Sequence, residues 1–534
     1  MSRLARLRAL IWPEPQDRLE RTLLRKADWL ILSYLCLNFC VNYLDRVNYY
    51  NAYISGMRED LAMTGRDYNK VIAFFTAGFA VAQIPQNMLL LVVPPRILFP
   101  LNGVIWGGLT MVSAAATKVQ HLYVIKFFQG MAEASTFVGA HYILGSWYKP
   151  QEIGKRTAIF ACSSHAATLF SGSLQAALYR NLDGKNSIKG WQWLFLVCGI
   201  ITIPIALYGA FAFPDTPANT RSRLFTPEER ALAVARLGPR EKTRFDWTLV
   251  RRVLSRWEAW LLSLIWIANG ALESFGSWGI MGLWMKAQLT AAGRPLYTIT
   301  QLNHYPLATS GVAILSLLIV SCWTDNRTQD RWAANIVIAL SALVSATIVL
   351  VNGLHPGRLP RGALFFAFYF SGITFAGQST NFSWANELFA DDEQARGIAL
   401  AMMNVLCYAF NAWFQVEYWK ASSTPAFTQG SSLMLAFVPL MLVFTGAARF
   451  LQVRDQRRSA ACLSSSLTKH ADGEADVAIA ASLSSASGLG GAGRSKTSLR
   501  PSTGATEDSV ALEKDQGKRD GDPPRGSLNQ LPVL

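Results

Sequence analysis

Twelve apolar runs follow one another along this chain, each close to the ~20 residues that a helix needs to cross lipid. They lie at about 28–52, 69–93, 97–116, 120–145, 157–180, 192–213, 259–286, 301–323, 332–353, 362–386, 396–419 and 430–452. Of the 534 residues, 51% are hydrophobic and only 16% charged, a balance that soluble domains do not carry in runs of this length. The pattern predicts an all-α membrane protein of twelve transmembrane helices. The longest connection, 214–258, separates six spans from six. The expected organisation is therefore an N-terminal segment 1–27, a six-helix half 28–213, a linker 214–258, a second half 259–453 and a tail 454–534.

Lys and Arg orient this arrangement. With the N-terminus in the cytoplasm, 27 of them fall on the cytoplasmic side and 12 on the other. The positive-inside rule then places both termini in the cytoplasm. The net charge of +15 reads as this asymmetry and a lipid-facing fringe, not as a nucleic-acid surface. The linker contains FTPEERALAVARL, where Thr226 suits a helix cap, Pro227 its first position and Glu229 a capping box. The tail, with SLSSASGLGGAGRSKTSLRPSTG, has too little apolar sequence to form a core and is expected to be disordered. No cleavable signal pattern precedes the first span. The seven cysteines are scattered without metal-site or disulfide spacing. Phosphate-loop, nucleophile-elbow and metalloprotease motifs are missing, so neither an enzyme nor a bound cofactor is expected.

Ionised side chains inside such spans are informative, since each costs about 2.5–3.5 kcal/mol on insertion scales and so tends to face a protein interior. Asp45 and Arg46 stand side by side near the end of the first span, followed by Asn48 and Asn51. Adjacent helical residues point about 100° apart, so the two need not pair with each other. Arg46 can grip a carboxylate through two parallel N–H bonds. Asp45 is a candidate for proton movement or gating; the alternative puts both residues at the outer helix end. Glu133 falls near the middle of the fourth span and Lys126 two turns earlier on about the same face. Glu133 is either a proton carrier or one partner of a fixed ion pair with Lys126, Arg46 or another helix. Gly130, Ala132 and Ala134 keep that neighbourhood thin enough for close helix approach. Glu273, amid small residues of the seventh span, suits packing or function equally. Glu387 ends the tenth span, where an interfacial gate pair with Arg396 is expected. Asn381, Trp384, Asn386, Asn404 and Asn411 are polar enough to line a pathway or to bond between helices.

Taken together, YLDRVN at 43–48, QIPQNMLL at 83–90, KFFQGMAEA at 126–134, GSWYKPQEIGKR at 145–156, WQWLF at 191–195 and FPDTP at 213–217 resemble the anion:cation symporter family of the major facilitator superfamily. NAYISGMREDL at 51–61, LGSWYKPQEIGKRTAIF at 144–160 and FSWANELFADDEQARGIALAMMN at 382–404 resemble the fungal pantothenate transporters within it. The resemblance covers about 27–453. It implies two halves rocking around a central site, proton coupling through Asp45 and Glu133, and anion contact at Arg46. Lys126 stands where members of the family often carry Arg. The loop between the second and third spans, VVPPRILFP, keeps only Arg96 of the family's usual gate.

The expected function is proton-coupled symport of a small carboxylate, pantothenate by resemblance. Asp45 and Glu133 would couple protons. Arg46, Lys126, Asn48, Asn381, Trp384 and Asn404 would bind substrate, and Arg96, Glu387 and Arg396 would gate. The expected partners are the carboxylate, protons and the lipid bilayer, around a monomer in the plasma membrane. The same fold carrying allantoate, nicotinate or biotin, a non-transporting nutrient sensor and a drug–proton antiporter are the competing readings.

Overall fold

The computed structural model describes residue 15 and residues 17–63, 65–220, 222–237, 247–277, 280–290, 293–326, 330–419 and 423–486. The chain divides into two units, Met1–Arg457 and Arg458–Leu534, and the first holds all the expected spans. Among the described residues that unit is helical from end to end.

The first half begins with α1 (Arg18–Ala27), which runs through one wide turn into α2 (Ser33–Ala52). Then come α3 (Gly65–Val92), α4 (Pro95–Ser113), α5 (Val119–Glu133), α6 (Thr136–Trp147), α7 (Pro150–Leu182) and α8 (Gly190–Ala212). The linker holds α9 (Pro227–Ala235) and α10 (Trp247–Leu254). The second half contains α11 (Trp257–Ser277), α12 (Ile280–Lys286), α13 (Ile299–His304), α14 (Leu307–Asn326) and α15 (Arg331–Leu354). It ends with α16 (Arg361–Phe370), α17 (Ala376–Leu388), α18 (Glu393–Tyr418) and α19 (Thr428–Ala486).

The twelve expected spans correspond to these helices, but several are broken. The fourth is α5 and α6, parted at Ala134–Ser135 directly after Glu133. The tenth is α16 and α17, joined by a tight 3₁₀ turn at Ser371–Phe375. Seven helices of the described residues are by themselves long and apolar enough to cross a membrane; the other spans are broken or less apolar. Large side chains such as Val81, Val124, Phe170, Ile200, Ile319 and Val443 point outward and exposed, while Asn42, Asn48, Glu133, Asn269, Asn335 and Asn381 are buried. That inverts the plan of a soluble protein and suits a lipid surround. The final helix continues to Ala486, beyond the expected end of the last span. Residues 487–534 of the expected tail lie outside the described residues.

Close packing of α3 on α5 comes from two glycines. A Cβ on Gly78 would strike the Phe127 carbonyl, and one on Gly130 the Phe75 carbonyl. The linker helix caps as its sequence implies: Thr226 Oγ1 accepts from Glu229 N–H at 3.2 Å, and Glu229 Oε2 accepts from Thr226 N–H at 2.8 Å. Lys26 of α1 then pairs with Glu229 at 2.9 Å, while Arg236 pairs with Glu20 at 2.7 Å and Glu152 at 2.6 Å. These pairs clasp the linker to the first half.

Candidate functional site

Break and burial converge at the end of α5. Glu133 is fully buried, and its Oε2 meets Arg46 Nε of α2 at 3.3 Å. Its other oxygen accepts from Gln129 Nε2 at 2.8 Å, and Gln129 Oε1 accepts from Lys126 Nζ at 2.8 Å. Lys126 thus reaches Glu133 through Gln129, with its ammonium 5.7 Å from the Tyr49 ring centroid and 5.5 Å from that of Phe195. Arg46 extends the chain across the halves: its Nη1 donates to Tyr408 Oη of α18 at 3.0 Å. The guanidinium sits 5.1 Å from the Phe79 ring centroid, 5.2 Å from Phe75 and 5.8 Å from Tyr43. A polar line Lys126–Gln129–Glu133–Arg46–Tyr408 therefore crosses the bundle inside an aromatic sleeve. The side chain of Arg46 keeps 21% exposure, enough to meet an incoming solute, whereas Glu133 has none.

Asp45 points away from Arg46, as adjacent helical residues do. It is buried against α4, where Thr110 Oγ1 donates to its Oδ2 at 3.1 Å, and Trp106, Glu133 and Lys126 lie within electrostatic reach. No ion pair forms on Asp45 among the described residues. Asn48 ties α2 to its neighbours, donating to Cys198 at 2.7 Å and accepting from Ser171 at 3.0 Å.

The second-half candidates do not join this line. Asn381 accepts from Asn335 Nδ2 at 2.9 Å, a bond between α17 and α15. Trp384 is 1% exposed in the apolar core. Asn404 is buried with its Nδ2 unpartnered.

The gate residues require a correction. Glu387 and Arg396 do not pair. Glu387 Oε1 is taken by Arg331 Nε at 2.6 Å, because Arg331 opens α15 directly beside the end of α17. Arg396 instead reaches the first half, donating to the Gly145 carbonyl at 3.1 Å and Ser146 Oγ at 2.8 Å. Tyr142 and Ser146 both donate to Glu393 Oε1, at 3.1 and 3.0 Å. Arg96 bonds Asp215, at the start of the linker, at 3.2 Å, and none of its bonds reaches the second half among the described residues.

A second cross-half tie, invisible in the sequence, centres on Asp325 at the end of α14. Its carboxylate accepts from the backbone N–H of Gly154 at 3.1 Å and of Lys155 at 2.8 Å, in the opening turns of α7. Arg331 Nη2 donates to Asp325 at 3.1 Å and to the Pro150 carbonyl at 2.8 Å. Arg331 thereby occupies the acceptor that Gly154 N–H would ordinarily use. A Cβ on Gly154 would collide with the Asp325 carboxylate, and one on Gly145 with the Asn386 amide. Both ties lie at the end of the bundle that carries the linker.

The comparisons agree with this architecture. The family model described as Major Facilitator Superfamily matches residues 35–412. The pantothenate transporter liz1 of Schizosaccharomyces pombe is 37% identical over 443 residues, covering 83% of this chain and 84% of its own. The pantothenate transporter FEN2 of Saccharomyces cerevisiae is 37% identical over 446 residues, covering 82% and 85%. Among solved structures, the proton:xylose symporter XylE superposes with a TM-score of 0.58 at 13% identity, over 78% of this chain and 94% of its own.

Proposed function

This chain belongs to the major facilitator superfamily, and on that premise we propose that it takes up pantothenate together with protons across the plasma membrane. The observation that carries the reading is Arg46, a partly exposed guanidinium shared between Glu133 of its own half and Tyr408 of the other. A substrate carboxylate is the natural competitor for that guanidinium, since a planar fork binds it through paired N–H bonds.

The exchange supplies coupling. When the substrate carboxylate takes Arg46, Glu133 loses its cation while fully buried. A buried, unpaired carboxylate is costly, and taking up a proton removes the cost. Substrate and proton therefore arrive together. When the substrate leaves, Arg46 returns to Glu133 and the proton is expelled. Asp45, buried without an ion pair, is the second proton position, with Lys126 setting the local charge through Gln129. Asn48, tied to Cys198 and Ser171, holds α2 and with it Arg46 in place. Arg396 gates the linker end with Glu393, and Glu387 does so through Arg331.

Orientation follows from the basic-residue asymmetry: the linker end faces the cytoplasm, and the tied ends of α6, α7, α14 and α18 represent the carrier closed to that side. The test is competitive uptake of labelled pantothenate against a panel of carboxylates, in cells lacking their own transporter. Saturable, pH-gradient-dependent uptake competed by unlabelled pantothenate is expected. Uptake competed by allantoate, nicotinate or biotin but not pantothenate reassigns the substrate; no uptake with intact surface expression points to a sensor.

A further inference from the structure

One hydroxyl of the first half has more acceptors than protons. Thr110 lies on α4, one turn after Trp106, and both are buried. Its Oγ1 is 3.1 Å from Asp45 Oδ2 of α2 and 2.9 Å from the Trp106 carbonyl. A hydroxyl carries a single proton, and both neighbours are acceptors when Asp45 is ionised, so Thr110 donates to only one of them at a time. The Trp106 carbonyl loses little when the hydroxyl turns away, because in a helix it already accepts the Thr110 N–H.

Asp45 is supported sparingly. Its Oδ2 accepts from Thr110, and its Oδ1 has no partner among the described residues. The Trp106 indole lies within electrostatic reach, yet its Nε1 is also unpartnered. The charged and titratable groups that face Asp45 are Lys126 and Glu133 of α5 and Cys198 of α8. Arg46, beside it on α2, turns to Glu133 and Tyr408 instead. From α4 the contact is Thr110, which does not titrate.

These contacts allow two arrangements. With Asp45 ionised, Thr110 donates to the carboxylate. With Asp45 protonated, the carboxyl O–H donates to Thr110 Oγ1, and Thr110 turns its own proton to the Trp106 carbonyl. The heavy atoms stay where they are, and the hydroxyl is paired in both.

We propose that Thr110 is a positioning residue for proton coupling, a hydroxyl that reverses direction so that Asp45 is held in place in both of its charge states. The inference rests on the reading of Asp45 as the second proton position. The proton on Asp45 comes from water and returns to water; Thr110 keeps its own. The two arrangements are not equal. A hydrogen bond to a charged acceptor is about twice as strong as one between neutral groups, so Thr110 supports the ionised form more and thereby eases proton release. It does so without placing a second cation beside Arg46, where the substrate carboxylate is to bind.

The test uses the full chain in proteoliposomes, normalised to folded protein. Labelled pantothenate is followed both as gradient-driven accumulation and as exchange, while the pH inside the vesicles, where the proton is released, is varied at fixed outer pH. Thr110→Val keeps the shape of the side chain but has no hydroxyl. It should need an inner pH about one unit higher than wild type for half-maximal accumulation, a tenfold difference in proton concentration, with exchange retained. Thr110→Ala, smaller and also without the hydroxyl, should shift the profile in the same direction. Thr110→Ser keeps the hydroxyl and should restore the wild-type profile. Asp45→Asn has no proton to release, so adding Thr110→Val to it should leave its profile where it was. Unshifted profiles in both Thr110→Val and Thr110→Ala overturn the proposal. So does an equal loss of accumulation and exchange that no inner pH restores, which is what a packing role alone would give. Accumulation at the wild-type level in Asp45→Asn removes Asp45 from the proton path; it overturns that reading and this one together, and leaves Arg46 and Glu133 standing.

Discussion

Gly154→Ala tests whether the Asp325 tie holds the halves closed at the linker end. The added methyl would meet the Asp325 carboxylate, with Arg331 Nη1 only 2.8 Å from it, so the carboxylate must withdraw from α7. Two backbone N–H bonds to a charged acceptor are lost, at 3.1 and 2.8 Å in the present geometry. At about 1.5–3 kcal/mol each, the loss is roughly 3–6 kcal/mol. Alanine returns about 1 kcal/mol through its better helix propensity, so α7 itself does not weaken. That helix gain is the same in both arrangements, so the loss of roughly 3–6 kcal/mol favours the separated one by about 100-fold to 10⁴-fold relative to wild type. The assay is a double electron–electron resonance distance between labels at the exposed positions 151 and 390, one in each half, with native cysteines replaced. The wild-type protein should give one short distance and Gly154→Ala a longer, broader distribution with thermal stability retained. An unchanged distribution would refute the reasoning, because it would mean that Asp325 does not restrain the halves.

Arg46→Lys keeps the charge but loses the fork, so it should weaken uptake at least about tenfold, whereas Lys126→Arg should stay near wild type in the same assay. Tyr408→Phe removes the hydroxyl that accepts from Arg46 at 3.0 Å and should raise KM about tenfold with little change in folded yield. In the clasp, burial works to raise the Glu229 carboxyl, but Lys26 and the Thr226 cap outweigh it and hold it below its ordinary value of 4.5. The clasp is therefore complete at neutral pH and lost as pH falls through that lowered value. Protection of the backbone amides at 228–235 from hydrogen exchange, taken relative to their intrinsic rates at each pH, should fall in acid, and should already be lowered at neutral pH in Lys26→Ala.

Much of the fold is legible in the sequence because lipid enforces a simple rule: helices must be long, apolar and continuous in their hydrogen bonding. The span order and the capped linker helix at Thr226 follow from it. Arg46 and Glu133 stand out for the same reason, since an ionised side chain amid apolar sequence needs a partner. What is not legible is pairing. Tyr408, Gln129 and Thr110 are uncharged and resemble many other residues in spans, so nothing local marks them as neighbours of Arg46, Glu133 and Asp45. Glu387 and Arg396 are close in sequence and of opposite sign, yet they do not pair: α15 brings Arg331 to Glu387, and Arg396 turns to Glu393 of its own helix and to Gly145 and Ser146 of α6. Asp325 sits at a helix end, where an acid is ordinarily just solvated; only the approach of α7 makes it a tie. The break after Glu133 carries no proline and arises from packing.

The central claim is that Glu133 exchanges a proton for Arg46 in each cycle. Glu133→Gln preserves shape and the Gln129 contact but fixes the neutral form. The decisive measurement uses proteoliposomes, normalised to folded protein, with labelled pantothenate followed with and without an imposed pH gradient. The account predicts that gradient-driven accumulation collapses while pantothenate exchange across the membrane persists, because the fixed neutral form mimics the protonated, loaded carrier. Accumulation at the wild-type level in Glu133→Gln would contradict it and remove this residue from the proton path.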